Sequence, residues 1–174
     1  KPDIEYIKDC MGKKLEKSGL FLWEHACKTA DYLRKTLIEY KEIDNDSIDV
    51  LCTAALGHDL LEDTKVTEKD ILEQWGATAL EYIKELTNEE GDKDCSGYID
   101  RLKKASEETL LLKFSDIYAN ASNSVTRFDK LDREWVRTFW FPLLNRYKNH
   151  LMTREFLKYP KTAGKMINDI NVEI

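Results

Sequence analysis

Proline, glycine, cysteine and long apolar runs are all scarce in this chain. Only 3 prolines and 7 glycines occur in 174 residues, so helices are expected to run with few interruptions. The 4 cysteines include no CxxC pair and lack the dense spacing of secreted disulfide scaffolds, which favours reduced thiols in a cytoplasmic protein. No secretory signal peptide is predicted. Apolar runs such as Leu20–Trp23 are far shorter than the roughly 20 residues of a membrane helix, so no membrane partner is expected.

The chain also lacks an excess of positive charge. Lys and Arg total 27 against 33 Asp and Glu, for a formal net charge of -6. This balance argues against a protein that binds nucleic-acid polymers. A phosphorylated ligand would need local cations or a metal to attract it. With 42% hydrophobic residues the chain can bury one sizeable core, and we expect a single domain over residues 1–174.

The spacing of apolar residues predicts an almost entirely helical protein, because strand-like alternation is nearly absent. The predicted helices cover about residues 2–17, 21–40, 48–61, 67–76, 77–87, 98–105, 107–127 and 131–150, with a last one after Tyr159-Pro160. Asn45-Asp46-Ser47 is expected to cap the third helix, and Thr67 with Asp70 resembles a capping box. The polar segment Asn88–Gly97 is the longest predicted loop and a candidate flap over a site.

Four ionisable side chains interrupt the third predicted helix, which otherwise has the composition of a core helix. These are His58, Asp59, Glu62 and Asp63. Isolated buried carboxylates are costly, and proteins generally pair them or give them a metal. In a helix, His58 and Asp59 point about 100° apart, so they share a metal only if it lies between them or the helix loosens there. A mixed imidazole and carboxylate set suits Mn, Fe, Zn or Mg.

Further ligands must come from other helices, and two polar residues in core-like surroundings are candidates. His25 lies among apolar residues of the second predicted helix, and Asp116 interrupts the apolar run that begins at Leu110. Asn120 follows Asp116 by four positions and shares its helix face. Trp75, Trp135, Trp140 and Phe141 are assigned to packing rather than to base stacking.

The chain resembles the HD superfamily of metal-dependent phosphohydrolases, named for an adjacent His-Asp pair. His58-Asp59 is followed by Glu62-Asp63-Thr64, and later by Lys113-Phe-Ser-Asp116-Ile-Tyr-Ala-Asn120. This double motif looks like that of RelA/SpoT-type hydrolase domains and small alarmone hydrolases. The resemblance is strongest over residues 20–130 and implies an all-α HD-domain helical bundle.

The resemblance also implies a ligand set and roles for the remaining polar residues. One divalent metal, usually manganese, would be bound by four side chains. These are His25, His58, Asp59 and Asp116. Glu62 and Asp63 would stand beside the attacking water, where a carboxylate can orient the water and take its proton. Asn120 would position the nucleotide, and Lys113 would orient the carboxylates or meet a phosphate, although a snorkelling surface role for Lys113 is equally open.

The implied activity is removal of the 3'-pyrophosphate from guanosine tetra- or pentaphosphate, with a small-molecule nucleotide as substrate. Two alternatives stay open: hydrolysis of another 3'- or 5'-phosphorylated nucleotide, and a non-catalytic nucleotide-binding regulator. The resembling family usually has an Arg shortly before its first histidine, whereas Glu16–Glu24 has none. Lys13, Lys14 or Lys17 would have to replace its charge, without its planar stacking surface. Leu37, Ile38 and the aromatic C-terminal helices are candidates for a homodimer surface.

Overall fold

The computed structural model describes residues 2–173, so Lys1 and Ile174 of the expected 1–174 domain lie outside the described residues. Helices account for the regular structure of this part of the chain, and its one extended contact is an isolated antiparallel bridge between Leu15 and Phe21. The helices are α1 Pro2–Met11, α2 Leu22–Tyr40, α3 Asn45–Gly57, α4 Leu60–Asp63, α5 Glu68–Trp75, α6 Ala77–Glu85, α7 Ser96–Leu102, α8 Glu107–Thr126, α9 Arg133–Trp135, α10 Phe141–His150 and α11 Pro160–Glu173, with a 3₁₀ turn Phe128–Lys130 and a π-helical turn Val136–Trp140. Across residues 2–173, no helix combines the length and the apolarity needed to span a bilayer.

Helix α8 occupies the centre of the molecule, because α2, α3 and α11 all pack against it. Its residues Leu110, Leu111 and Phe114 are fully buried, as expected for a helix that is covered on several sides. Polar residues on α8 therefore also enter the interior. Leu37 of α2 is likewise buried, so of the two α2 residues offered for a dimer surface only Ile38 is exposed.

The first helix is shorter than its sequence predicts. It ends at Met11 rather than near residue 17, because Gly12 adopts a left-handed backbone conformation with φ of 55°. The following segment is a loop that runs back across the start of α2, where the Leu22 amide donates to the Lys14 carbonyl at 2.8 Å. This loop brings the side chain of Glu16 toward the core.

The third helix also differs from the sequence prediction at both ends. Its N-cap is Asp44, whose carboxylate accepts from the Ser47 amide, rather than a residue of Asn45–Ser47. At its C-terminus the helix stops at Gly57, and α4 starts afresh at Leu60. The predicted continuous helix to Leu61 is therefore wrong, and the break falls at His58-Asp59.

The remaining boundaries follow the sequence closely, with one irregularity. Thr67 and Asp70 form the expected capping box, and α5 ends before Gly76. The predicted helix over 131–150 begins at Arg133 and contains the π-helical turn, in which the Phe141 amide donates to the Val136 carbonyl. Pro142 lacks an amide hydrogen and its ring crowds the preceding turn, which accounts for the widened helix there.

Gly57 is expected to be intolerant of a side chain. A Cβ there would lie 2.5 Å from Cζ3 of Trp75, a ring held in place by a 3.0 Å hydrogen bond from its Nε1 to Asp3. We expect Gly57→Ala to lower the free energy of unfolding by about 1–3 kcal/mol through overpacking, measured by urea unfolding. Gly164→Ala, on α11 with open space around it, is the matched control and should be neutral or stabilising. Equal effects of the two substitutions would contradict this packing.

Candidate metal centre and its cavity

Four side chains from three places in the chain converge on one point in the interior. They are His25 from α2, His58 and Asp59 from the break between α3 and α4, and Asp116 from α8. Asp116 Oδ1 lies 3.0 Å from His25 Nε2 and 3.3 Å from His58 Nε2. Asp59 Oδ2 lies 3.2 Å from His58 Nε2 and 3.8 Å from His25 Nε2. Atoms bound at about 2.1 Å to one ion lie about 3.0–3.4 Å apart at octahedral or tetrahedral angles, so the separations among His25, His58 and Asp116 suit a shared cation. Asp59 meets this range to His58, and its longer separation from His25 would need a wider angle at the ion.

The helix break makes this convergence possible. His58 caps α3 with its amide directed to the Ala55 carbonyl, and the Asp59 backbone, with φ of -97° and ψ of -1°, deviates from ideal helical angles. The two neighbouring side chains consequently turn their ligand atoms to within 3.2 Å of each other, although adjacent residues of an uninterrupted helix diverge. A loosened helix is one of the two arrangements in which His58 and Asp59 can share a metal.

The ring of His58 is oriented to offer a lone pair to a cation. Its Nδ1 lies 2.6 Å from the Ala55 carbonyl, which can only accept, so Nδ1 carries the hydrogen. Nε2 is buried beside Asp59 and Asp116, with no hydrogen-bond partner among residues 2–173. Burial lowers the pKa of His58, but the two carboxylates outweigh burial and raise the pKa well above its ordinary value. The same negative field would attract a metal ion, so the donor set fits one.

Lys113 is a buried partner of the centre rather than a snorkelling surface residue. Its Nζ donates to Asp116 Oδ2 at 2.8 Å, and it lies 4.9 Å and 4.8 Å from the ring centroids of Tyr98 and Tyr147. Burial raises the pKa of Asp116, but the charges of Lys113 and His58 outweigh it and hold that pKa well below the ordinary range. Asn120 also bonds Asp116, donating from Nδ2 to Oδ1 at 3.1 Å.

Glu16 is a neighbour of the centre that the sequence did not reveal. Its Oε2 lies 3.7 Å from His25 Nδ1, a buried nitrogen with no hydrogen-bond partner in the described chain. Its Oε1 accepts from Asn123 at 3.0 Å and from the Ser18 hydroxyl. Glu16 reaches this position because α1 ends at Met11 and the loop after it turns back toward α2. No sequence motif predicts this turn.

Glu62 and Asp63 stand on the cavity side of the centre, on α4. The Asn88 amide donates to Glu62 Oε1, so the start of the predicted loop Asn88–Gly97 contacts this carboxylate. Partial burial raises the pKa of Glu62 to about 7. The negative charges of Asp59 and Asp63 also raise this pKa, whereas the hydrogen bond from the Asn88 amide lowers it. Burial and the Asp59 charge likewise raise the pKa of Asp63, whose carbonyl accepts from Lys14 at 2.6 Å.

The centre opens into a cavity of about 290 Å³ whose lining combines acidic and aromatic side chains. Four carboxylates line it besides Glu16. These are Asp59, Glu62, Asp63 and Asp116. Of Lys13, Lys14 and Lys17, the lysines expected to replace the missing arginine, Lys17 lines the cavity. Lys14 is not part of the cavity lining, but it contacts Asp63. Trp135 and Trp140 also line the cavity, and both pack in or against the core as predicted, as does Trp75; Phe141 is exposed.

Comparisons with protein-family models and with curated protein sequences give no match. Among solved structures, the chain matches a metazoan ortholog of SpoT that hydrolyzes ppGpp and plays a role in starvation responses. The TM-score is 0.75 at 16% sequence identity, over 99% of this chain and 93% of that chain. The chain has the all-α HD-domain fold. The resemblance inferred from the His-Asp motifs is thereby confirmed for the fold, and the grouping of His25, His58 and Asp116 fits an HD site.

Replacing His58 should remove cation binding. We expect His58→Gln to weaken Mn²⁺ binding by more than the roughly 10- to 100-fold that loss of an outer partner costs, because a buried ligand atom is lost. Calorimetric titration of the metal-free protein measures the change. His150→Gln, at an exposed histidine on α10, is the matched control and should bind as the unaltered protein does. Equal Mn²⁺ affinity in the two variants would exclude His58 as a ligand.

Proposed function

We propose that this protein is a metal-dependent hydrolase of nucleotide phosphate esters, which removes the 3'-pyrophosphate of guanosine tetra- or pentaphosphate. The proposal rests on one observation: Glu62 and Asp63 line the same cavity as three of the proposed ligands, His25, Asp59 and Asp116. A ligand set alone would suit a structural metal, which proteins usually enclose completely. Here the donor set faces a cavity with acid-base groups beside it.

Each residue around the proposed ion has a separate role. When bound, a divalent ion supplies Lewis-acid activation of water and neutralises charge on the phosphoryl group. His25, His58, Asp59 and Asp116 hold the ion. Lys113 and Asn120 fix the orientation of Asp116 through their hydrogen bonds to its two oxygens. Lys113 thus acts on the carboxylates, one of the two roles expected for it.

Glu62 is the proposed proton acceptor. A pKa of about 7 lets its carboxyl take a proton from water and release it again near neutral pH. The Asn88 amide holds one oxygen of Glu62, which leaves the other for a water molecule. Asp63, one position further on the same short helix, is the proposed second carboxylate at the water.

Nucleotide recognition is proposed from the cavity's composition and from the structural neighbour. The cavity is lined by three of the proposed ligands, by Lys17 and by aromatic rings, which suits a ligand with phosphates and a flat base. The solved structure of similar fold belongs to a protein that hydrolyzes ppGpp. The absence of Arg from Glu16–Glu24 favours a second candidate, another 3'- or 5'-phosphorylated nucleotide, because a lysine cannot stack on a guanine as an arginine does.

A Mn²⁺-dependent turnover assay tests the proposal. The purified protein is incubated with guanosine tetraphosphate and with 3'- and 5'-phosphorylated nucleotides, and released phosphate and pyrophosphate are measured. We expect pyrophosphate from guanosine tetraphosphate, and Glu62→Gln should lower kcat by at least about 10²-fold while Mn²⁺ still binds.

Glu90→Gln, at an exposed residue of the neighbouring loop, serves as the control and should retain full turnover. Release of phosphate from another nucleotide alone would favour the second candidate. Bound Mn²⁺ with no turnover of any nucleotide would contradict hydrolysis and leave a nucleotide-binding regulator. Normal turnover by Glu62→Gln would exclude Glu62 as proton acceptor.

A further inference from the structure

The π-helical turn and the residue before it bring three aromatic rings to the cavity. Trp135, Phe139 and Trp140, which we call the aromatic wall, all line the cavity. The ring of Trp135 is parallel to that of Trp140 within 2° at a centroid distance of 6.4 Å, and lies 5.9 Å from that of Phe139. Hydrogen bonds from residue i to i+5 bring positions five apart toward one helix face, which a regular α-helix would separate. The irregular turn therefore gathers three rings on one surface.

Two features of the wall indicate that packing within the chain does not use it completely. Trp135 and Phe139 are only half-buried although they adjoin the core. Trp140 is 6% exposed, yet its Nε1 has no hydrogen-bond partner in the described part of the chain. Indole N–H groups usually find a partner when buried, and an unsatisfied buried donor in a native structure calls for one.

The two kinds of side chain that line the cavity would orient a nucleotide. The carboxylates repel anions unless a cation screens them, so phosphates would be held at the site only when His25, His58, Asp59 and Asp116 hold a cation. The uncharged base would then contact the aromatic wall. Lys17, an exposed and flexible side chain, lies with Nζ 5.0 Å from the Trp135 ring and can move aside or meet a phosphate.

We infer that Trp135 is the stacking platform for the nucleobase, with the Trp140 N–H as a donor to the bound nucleoside. This assignment rests on the proposed function for the nucleotide class of ligand. Stacking depends on the area of the base rather than on its edge groups, because every base has a π-face. Purine nucleotides should therefore bind more tightly than pyrimidine nucleotides, with little difference between guanine and adenine.

Calorimetric titration with GMP, AMP, CMP and ribose 5-phosphate, with and without Mn²⁺, tests the platform. We expect GMP and AMP to bind the unaltered protein with similar affinity and more tightly than CMP. Trp135→Leu should weaken both purine nucleotides by about 10-fold or more and leave ribose 5-phosphate unchanged, whereas Trp135→Phe should retain most of the affinity. Trp23→Leu, at a half-buried tryptophan outside this cavity, is the matched control and should change nothing.

Unchanged GMP affinity in Trp135→Leu would overturn the inference, as would an equal loss for ribose 5-phosphate, which indicates a general distortion. A strong preference for GMP over AMP would also overturn it, since stacking does not read base edges. The proposed function fails separately: base-dependent binding with no turnover refutes hydrolysis but keeps the platform. Turnover with the same KM in Trp135→Leu keeps hydrolysis and refutes the platform.

Discussion

Two imidazoles and two carboxylates lie close together in the protein interior. Their lone pairs repel one another, and only a positive charge between them can stabilise this arrangement. His58 offers Nε2 to Asp59 and Asp116 because its other nitrogen is committed to Ala55. A proton or a metal must then lie between them. Much of the surrounding structure serves this requirement: α8 places Asp116 in the core, Lys113 pairs with one of its oxygens, and the helix break after Gly57 turns Asp59 inward.

The supports of the centre come from distant parts of the chain. Tyr98 on α7 and Tyr147 on α10 enclose the ammonium of Lys113, which allows a buried lysine to stay charged beside Asp116. Glu16, from the loop after α1, approaches the outer nitrogen of His25. Oriented outer partners of this kind fix ligand rings in metal sites. The cavity lining thus combines charged groups, positioned by long-range contacts, with aromatic rings from one irregular helical segment.

The sequence predicted what depends on local pattern. Helical periodicity predicted an all-α chain, and the residues at 25, 58, 59 and 116 stood out because charged groups interrupt apolar helices. Sequence patterns did not predict the features that depend on an irregular backbone or on contacts between distant residues. The break at His58-Asp59 falls in a segment with good helical periodicity, and Glu16 approaches His25 only because Gly12 ends α1 early. The tryptophans at 135 and 140 pack in or against the core as predicted, but the π-helical turn that brings both to the cavity had no sequence signal.

A cation bound to this protein should lie among His25, His58, Asp59 and Asp116. Crystals grown with Mn²⁺ and measured at a wavelength where manganese scatters anomalously would show where the ion binds. We expect one strong anomalous peak about 2.0–2.3 Å from His25 Nε2, His58 Nε2, Asp59 Oδ2 and Asp116 Oδ1. Full anomalous occupancy elsewhere, or no peak at this point at a saturating Mn²⁺ concentration, would contradict it.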